Sequence, residues 1–358
     1  MRRSNKALVL RAFFAILLFA TSLVSRAQSS SQPSQQYQQP VQDLTPPSDA
    51  EVEKAAAAAA STTQQTDTVQ RRVEPSKKED GYKYVKNVDE VILYATVVDP
   101  HNKMVNSLNQ SAFTVYEDGQ PQKITSFHQS DVPVSLGIVI DNSGSMRDKR
   151  AEVNKAVVNL IRASNPQDEV FVVNFGQTPY LDQDFTSDVN LLQAALHQTS
   201  TRGSTALYDA VVASNVHLRN NPRLDKKVLL VITDGQDNMS RETLQDAMRK
   251  LQSNKGATLY AIGLTDGAVG ISRSGREALQ DLATSTGGAA FFPQRVEDVD
   301  AITRAVAHDI RSQYTLTYNP GGAIGKSYQT IRVEARGPGH SRLAVRTRTG
   351  YYPGETLR

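Results

Sequence analysis

The sequence predicts an α/β fold: a doubly wound, mainly parallel sheet inserted in a small β-sandwich built from strands on either side of it. Three observations lead there. From Pro133 to about Arg311, apolar strand-like runs alternate with segments of helical spacing, the pattern of a parallel sheet flanked by helices on both faces. Short alternating strands lie before this region and again after it. Neither flanking group is large enough to be stable alone, so the economical solution pairs them into one sandwich.

In chain order, the first elements are strands. Val91–Val98 is β-branched and ends at the turn signal Asp99–Pro100, and Phe113, Val115 and Glu117 then alternate with Thr114 and Tyr116. Asp118–Gly119 marks a hairpin, for which Ile124–Phe127 is expected as the return strand. Val134–Ile140 is a nearly continuous apolar run, as expected for a strand covered on both faces. Val153, Ala156, Val157, Leu160 and Ile161 follow at helical spacing. Val170–Phe175, Lys227–Thr233 and Thr258–Gly263 read as further strands, with helices around Ala206–Val216 and Leu244–Leu251. Ala289–Phe292 is expected as the last inner strand, and Val299, Ile302, Val306 and Ile310 mark a closing helix. Strands at Tyr314–Tyr318, Ile331–Ala335 and Leu343–Thr347 complete the second half of the sandwich. The expected divisions are a first sandwich half over 89–132, the α/β domain over 133–312 and the second half over 313–354.

Composition removes several function classes. The 358 residues include no cysteine, which excludes disulfides, thiolate zinc sites and cysteine nucleophiles. The six histidines are scattered without metal-ligand spacing. The formal charge of +3 arises from Arg2, Arg3, Lys6, Arg11 and Arg26, all in the first 27 residues, which hold no acid. Without them 35 bases face 37 acids, so no nucleic-acid partner is expected. Residues 1–27 read as a secretory signal: a basic start, an apolar run from Ala12 to Val24, and small residues Ser25 and Ala27 before a cut ahead of Gln28. The alternative is an uncleaved segment that anchors the chain in the inner membrane. Either way the chain is expected beyond the cytoplasmic membrane, secreted or periplasmic. Residues 28–88, rich in Gln, Ser, Pro and Ala, are expected to be a disordered linker.

The chemistry concentrates where strands end. Asp141-Asn142-Ser143-Gly144-Ser145-Met146 follows the first parallel strand, Gly203-Ser204-Thr205 opens a helix, and Thr233-Asp234-Gly235 closes a later strand. In open α/β sheets, ligands sit outside the carboxyl ends of the strands. Asp141, Ser143, Ser145, Thr205 and Asp234 are hard oxygen donors suited to Mg²⁺, with Mn²⁺ or Ca²⁺ as the other cations such donors take. Taken alone, the Asp141–Ser145 segment is more often an ordinary turn; the two further motifs shift the balance to a metal. Asp237 is expected to be solvated or to cap the next helix, with a place near the site as the alternative; Tyr208 and Asp209 to serve surface or packing roles; and Asp182 and Asp184 to be solvated, with a calcium site as the alternative.

These motifs resemble the metal-ion-dependent adhesion site of von Willebrand factor type A domains. The first motif of that site, DxSxS, is met by Asp141, Ser143 and Ser145, its threonine falls on Thr205 and its loop aspartate on Asp234. The flanks resemble the VWFA-related acidobacterial domain proteins through Val115–Gly119, Ile124–Phe127 and Arg348–Tyr352. What the resemblance implies is a Mg²⁺-bearing binding module for adhesion or scaffolding, not an enzyme. A protein partner would offer an acidic side chain to the ion. The alternatives are a scaffold whose metal only stabilises the fold and, more weakly, a metal-dependent phosphoryl or ester hydrolase. An aspartyl-phosphate mechanism of the haloacid-dehalogenase kind would want a second Asp where Ser143 stands, and no GxSxG elbow surrounds Ser143.

Overall fold

The computed structural model describes residues 42–43, 90–197, 203–220, 224–265, 270–320, 327–337 and 342–353. The expected signal segment and nearly all of the expected linker lie outside these residues. Within the linker range only the two-residue strand β1 (Gln42–Asp43) is described.

The leading strands are β2 (Val91–Val98), β3 (Phe113–Glu117), β4 (Gln120–Gln122) and β5 (Ile124–His128). The α/β region then runs β6 (Val134–Asp141), α1 (Arg150–Arg162), β7 (Glu169–Phe175), β8 (Pro179–Thr186), α2 (Val189–His197) and α3 (Leu207–Asn220). It continues with β9 (Lys226–Thr233), α4 (Leu244–Leu251), β10 (Thr258–Gly263), α5 (Arg273–Thr286), β11 (Ala290–Phe291) and α6 (Val299–Arg311). The trailing strands are β12 (Tyr314–Tyr318), β13 (Gln329–Ala335), β14 (Ala344–Arg346) and β15 (Gly350–Tyr351).

The central sheet has the order β1-β8-β7-β6-β9-β10-β11. Its pairs from β7 through β11 are parallel, while β8 joins β7 antiparallel and β1 joins β8 antiparallel. All eight residues of β6 and all eight of β9 are buried, which is why both strands are apolar through their centres, with polar residues mainly toward their ends. Leu136, Ile138 and Ile140 pack with α1, α2 and α6 on one face, whereas Val139, Phe171 and Val173 pack with α3, α4 and α5 on the other. With helices on both faces, the sheet leaves its polar chemistry only the strand ends.

The flanking strands form two four-stranded antiparallel sheets, β14-β2-β12-β5 and β15-β13-β3-β4, sharing a core that includes Leu93, Val115, Leu316 and Val333. Each sheet draws strands from both sides of the α/β region. Tyr314, Tyr318 and Tyr351 are buried in this core.

Three expectations are corrected. The hairpin at Asp118–Gly119 returns along β4, with Glu117 opposite Gln120, and not along Ile124–Phe127. Both turn residues have positive φ, 47° and 78°, so the two-residue loop closes at once. The Ile124–Phe127 segment, as part of β5, crosses to the opposite sheet and pairs with β12. Ala289–Phe292 contains only the two-residue β11, which lies at the sheet edge beside β10 instead of within it. Strand β8 and helices α2 and α5 are additions that the reading of apolar runs did not include.

At the junction of the two parts, Lys226 is almost fully buried, donates to Ile310 O at 2.5 Å and lies 5.0 Å from the Tyr94 ring centroid. Burial, and then the charge of Arg311, lower its ammonium to about 8 against the opposing pull of Asp309, Asp131 and Asp168. Between about pH 8 and the ordinary lysine value the unfolded chain holds a proton that the folded chain has released. The destabilising contribution of Lys226 is therefore fully present below pH 8 and is relieved as pH rises. The stability of Lys226→Met minus that of wild type, followed by urea unfolding, is expected to fall by up to about 3 kcal/mol across that window. A difference that does not change with pH would contradict this.

Candidate metal centre

Strand β6 delivers Asp141 to the carboxyl edge of the sheet, where the carboxylate is fully buried. Asn142 N donates to Phe175 O at 2.6 Å and prolongs the ladder with β7 by one bond. A single 3₁₀ turn, Gly144–Met146, then carries the chain toward α1. Met146 is wholly buried in the core beneath α1, which pins the loop and leaves Ser143 and Ser145 beside Asp141.

The five side chains singled out in the sequence meet here. Asp141 Oδ1 accepts from Ser143 N at 2.8 Å. Ser143 Oγ lies 3.1 Å from Ser145 Oγ, and Ser145 donates to Asp234 Oδ1 at 2.7 Å. Thr205 closes the group from another side: a Cβ placed on Gly235 would stand 3.1 Å from Thr205 Oγ1 and 3.5 Å from Asp141 Oδ2. Glycine at 235 thus keeps clear the space that these two oxygens share.

Thr205 and Asp234 come from separate loops that are laced together. Thr205 N donates to Asn238 Oδ1 at 2.9 Å and Asn238 N returns to Thr205 O at 3.0 Å. Asp237 is not simply solvated, nor does it cap the next helix. Its carboxylate accepts from Tyr208 N, in the first turn of α3, at 3.1 Å and from Ser240 Oγ at 2.5 Å. Asp209 is buried and receives Arg241 N and Glu242 N, which fixes the loop that follows Asp234.

Further residues belong to the centre that sequence reasoning did not assign to it. Thr233, fully buried, donates to Asp141 Oδ2 at 2.5 Å and accepts from Gly235 N at 3.0 Å. Lys149 Nζ stands 2.5 Å from Asp234 Oδ2. Arg150 donates to Asp141 O at 3.2 Å and to Asn174 Oδ1. Asn174 in turn donates through its N and Nδ2 to Asp182 Oδ2, so Asp182 is a partly buried, hydrogen-bonded group and not a solvated one. Asp184 is exposed and pairs with His217 at 2.9 Å.

Electrostatically this is a costly place for charge. Burial pushes the Asp141 carboxyl above the ordinary carboxylate range; hydrogen bonds from Thr233 and Ser143 pull it back, and the charge of Asp234 adds to the push. Burial likewise raises Asp182, against Asn174 and Arg150, and lowers the Arg150 guanidinium to about 10. Counting Asp141, Asp182 and Asp234 against Lys149 and Arg150, the cluster holds one net negative charge. The donor set fits a divalent cation on two observations. Every donor is a hard oxygen, and a positive group, the Lys149 ammonium, already lies against one of the carboxylates. A cavity of about 350 Å³ lined by Tyr94, Asp225, Lys227 and Arg348 lies elsewhere, at the opposite end of β9.

Residues 136–236 match the family model for the von Willebrand factor type A domain. Comparison with curated proteins gives no match. Among solved structures the chain is similar to a von Willebrand factor type A protein from Catenulispora acidiphila, at 13% identity over 76% of each chain with a TM-score of 0.43. It is also similar to an aerotolerance-related membrane protein from Bacteroides fragilis, at 21% identity over 49% of this chain and 98% of that one, TM-score 0.41. A third similar structure is proximal thread matrix protein 1 from the mussel byssus with a zinc-occupied MIDAS motif, at 15% identity over 55% of this chain and 50% of that one, TM-score 0.45. The chain spans about half the length of the mussel byssus proteins that it matches. The buried parallel sheet, the Asp141–Ser145 loop at its carboxyl edge and the match over residues 136–236 lead to one conclusion: the chain carries a von Willebrand factor type A domain.

Proposed function

We propose that this protein is a metal-dependent binding module, and that its centre recognises an acidic side chain of a partner protein. Asp141, Ser143, Ser145, Thr205 and Asp234 would hold the cation directly or through water, with Mg²⁺ the best match to two carboxylates and three hydroxyls. When bound, the ion supplies a Lewis-acidic positive centre to which a partner's carboxylate oxygen can attach. The observation that carries the reading is the convergence of these five oxygen-bearing side chains from three loops at one strand-end edge.

Binding is favoured over catalysis by a serine nucleophile. Ser143 and Ser145 lie beside each other, Ser145 donates to Asp234, and among the described residues neither hydroxyl is paired with a histidine that would activate it as a nucleophile. Both carboxylates also have partners within the protein, Ser143 and Thr233 on Asp141 and Ser145 and Lys149 on Asp234. The basic and then apolar start of the chain, Met1–Ala27, supports a location across the cytoplasmic membrane.

Thermal melting in Mg²⁺ and in EDTA tests the metal. At a hundredfold excess over Kd, Mg²⁺ is expected to add about 2.7 kcal/mol of stability. Affinity capture from periplasmic and culture fractions tests the partner, which is expected to be retained in Mg²⁺ and released by EDTA. An unchanged melting curve together with no EDTA-released protein would overturn the proposal.

A further inference from the structure

Lys149 has no place in a set of oxygen ligands, yet its position is specific. It immediately precedes α1, its side chain is 11% exposed, and its ammonium contacts a carboxylate that is wholly buried. A lysine cannot ligate a cation; it competes with the cation for Asp234. Its charge also changes what the loaded centre attracts. Asp141, Asp234 and Lys149 sum to one negative charge, and the neighbouring Arg150 and Asp182 offset each other. A divalent cation turns that sum into one positive charge, which an incoming carboxylate would cancel. Without Lys149 the two aspartates would neutralise the cation by themselves, and a third carboxylate would leave the buried centre negative.

We propose that Lys149 is a tethered counter-ion that weakens the centre for a bare divalent cation and couples cation binding to the arrival of an acidic ligand. This rests on the metal reading above. Like charges repel strongly in a poorly solvated site, so Lys149 opposes the bare ion. A carboxylate relieves the repulsion, and by linkage each ligand strengthens the other by the same factor. In the metal-free protein Lys149 has a second effect: it keeps Asp234 from standing as an uncompensated buried charge.

The test is a Mn²⁺ titration of the full chain, as wild type, Lys149→Met and Lys149→Arg. Each is measured in chloride and in acetate at equal ionic strength and matched free Mn²⁺, with melting in EDTA recorded alongside. In chloride, Lys149→Met is expected to bind Mn²⁺ about tenfold tighter than wild type, to lose the tightening that acetate gives wild type, and to melt lower in EDTA. Lys149→Arg, which keeps the charge, is expected to stay within a few-fold of wild type. If Lys149→Met does not fold, the wild type still decides, because acetate must tighten its Mn²⁺ binding. Equal Mn²⁺ affinity in the three proteins, or a wild type indifferent to acetate, overturns the role of Lys149 and leaves the metal reading standing. A wild type that takes up no Mn²⁺ in either salt overturns the metal reading and this proposal with it.

Discussion

Asp309→Ala is expected to lower the unfolding free energy by about 3 kcal/mol, the lower end of what breaking a buried ionic network costs. Asp309 lies near the end of α6 and is 3% exposed. Its Oδ1 accepts from Thr96 Oγ1 at 2.7 Å, and its Oδ2 accepts from Tyr260 OH at 2.9 Å and from the Arg346 guanidinium. Thr96 and Arg346 belong to the sandwich strands β2 and β14, whereas Tyr260 belongs to β10 of the central sheet. One carboxylate therefore fastens the last helix of the inserted region to the sandwich on either side of the insertion. Its removal takes from Tyr260 OH, in a fully buried residue, the carboxylate that accepts its proton, and leaves beside it the donors Gln313 Nε2, at 3.3 Å, and Arg346. The side chain of Arg346 is 33% exposed and can return to water, which keeps the cost from reaching the upper end of the range. Urea unfolding of Asp309→Ala and wild type gives the measurement, and a loss below 1 kcal/mol would show that the junction does not depend on this group.

The strands of the central sheet were legible because burial on both faces demands nearly continuous apolar sequence, and β6, β9 and β10 supply it. Strand β4 was not. Its residues Gln120, Pro121 and Gln122 have no apolar alternation, and a proline is tolerated there because β4 is an edge strand. In β8 polar residues alternate poorly, with only Pro179 and Leu181 buried, so antiparallel pairing with β7 left little trace in the pattern. In the centre itself, the oxygen donors were legible because they cluster at strand ends in short polar motifs. Lys149, Arg150 and Thr233 were not, because a charge at the start of an amphipathic helix and a threonine at the end of a strand ordinarily face water or the core without consequence. What distinguishes them is burial beside Asp141 and Asp234. A signal for Lys149 did exist: two carboxylates converging in a buried place need a positive neighbour, and the loop before α1 offers one.

Asp141→Asn is expected to separate the function of the centre from its stability. Any Mg²⁺-dependent rise in melting temperature should vanish, since the substitution removes one of the two anionic donors to a hard cation. In EDTA the variant should be more stable than wild type, by about 1–2 kcal/mol. The reason lies in the charge count. With Asp141 neutral, Asp234 is balanced by Lys149 and Asp182 by Arg150, and the negative charge in excess is gone. The hydrogen bonds survive the change. The asparagine Oδ1 can still accept from Ser143 N, and its amide can donate to Thr233 Oγ1, whose own proton has Gly235 O at 3.4 Å as an alternative acceptor. Asp141→Ala would instead leave Ser143 N without its acceptor and Thr233 with only the longer contact to Gly235 O, and should lose stability where the asparagine gains it. Melting of wild type and both variants in EDTA and in Mg²⁺ therefore yields a pattern that a purely structural aspartate cannot produce. If Asp141→Asn proved less stable than wild type in EDTA, Asp141 would be a residue that the metal-free fold needs, and the excess charge would have no energetic consequence.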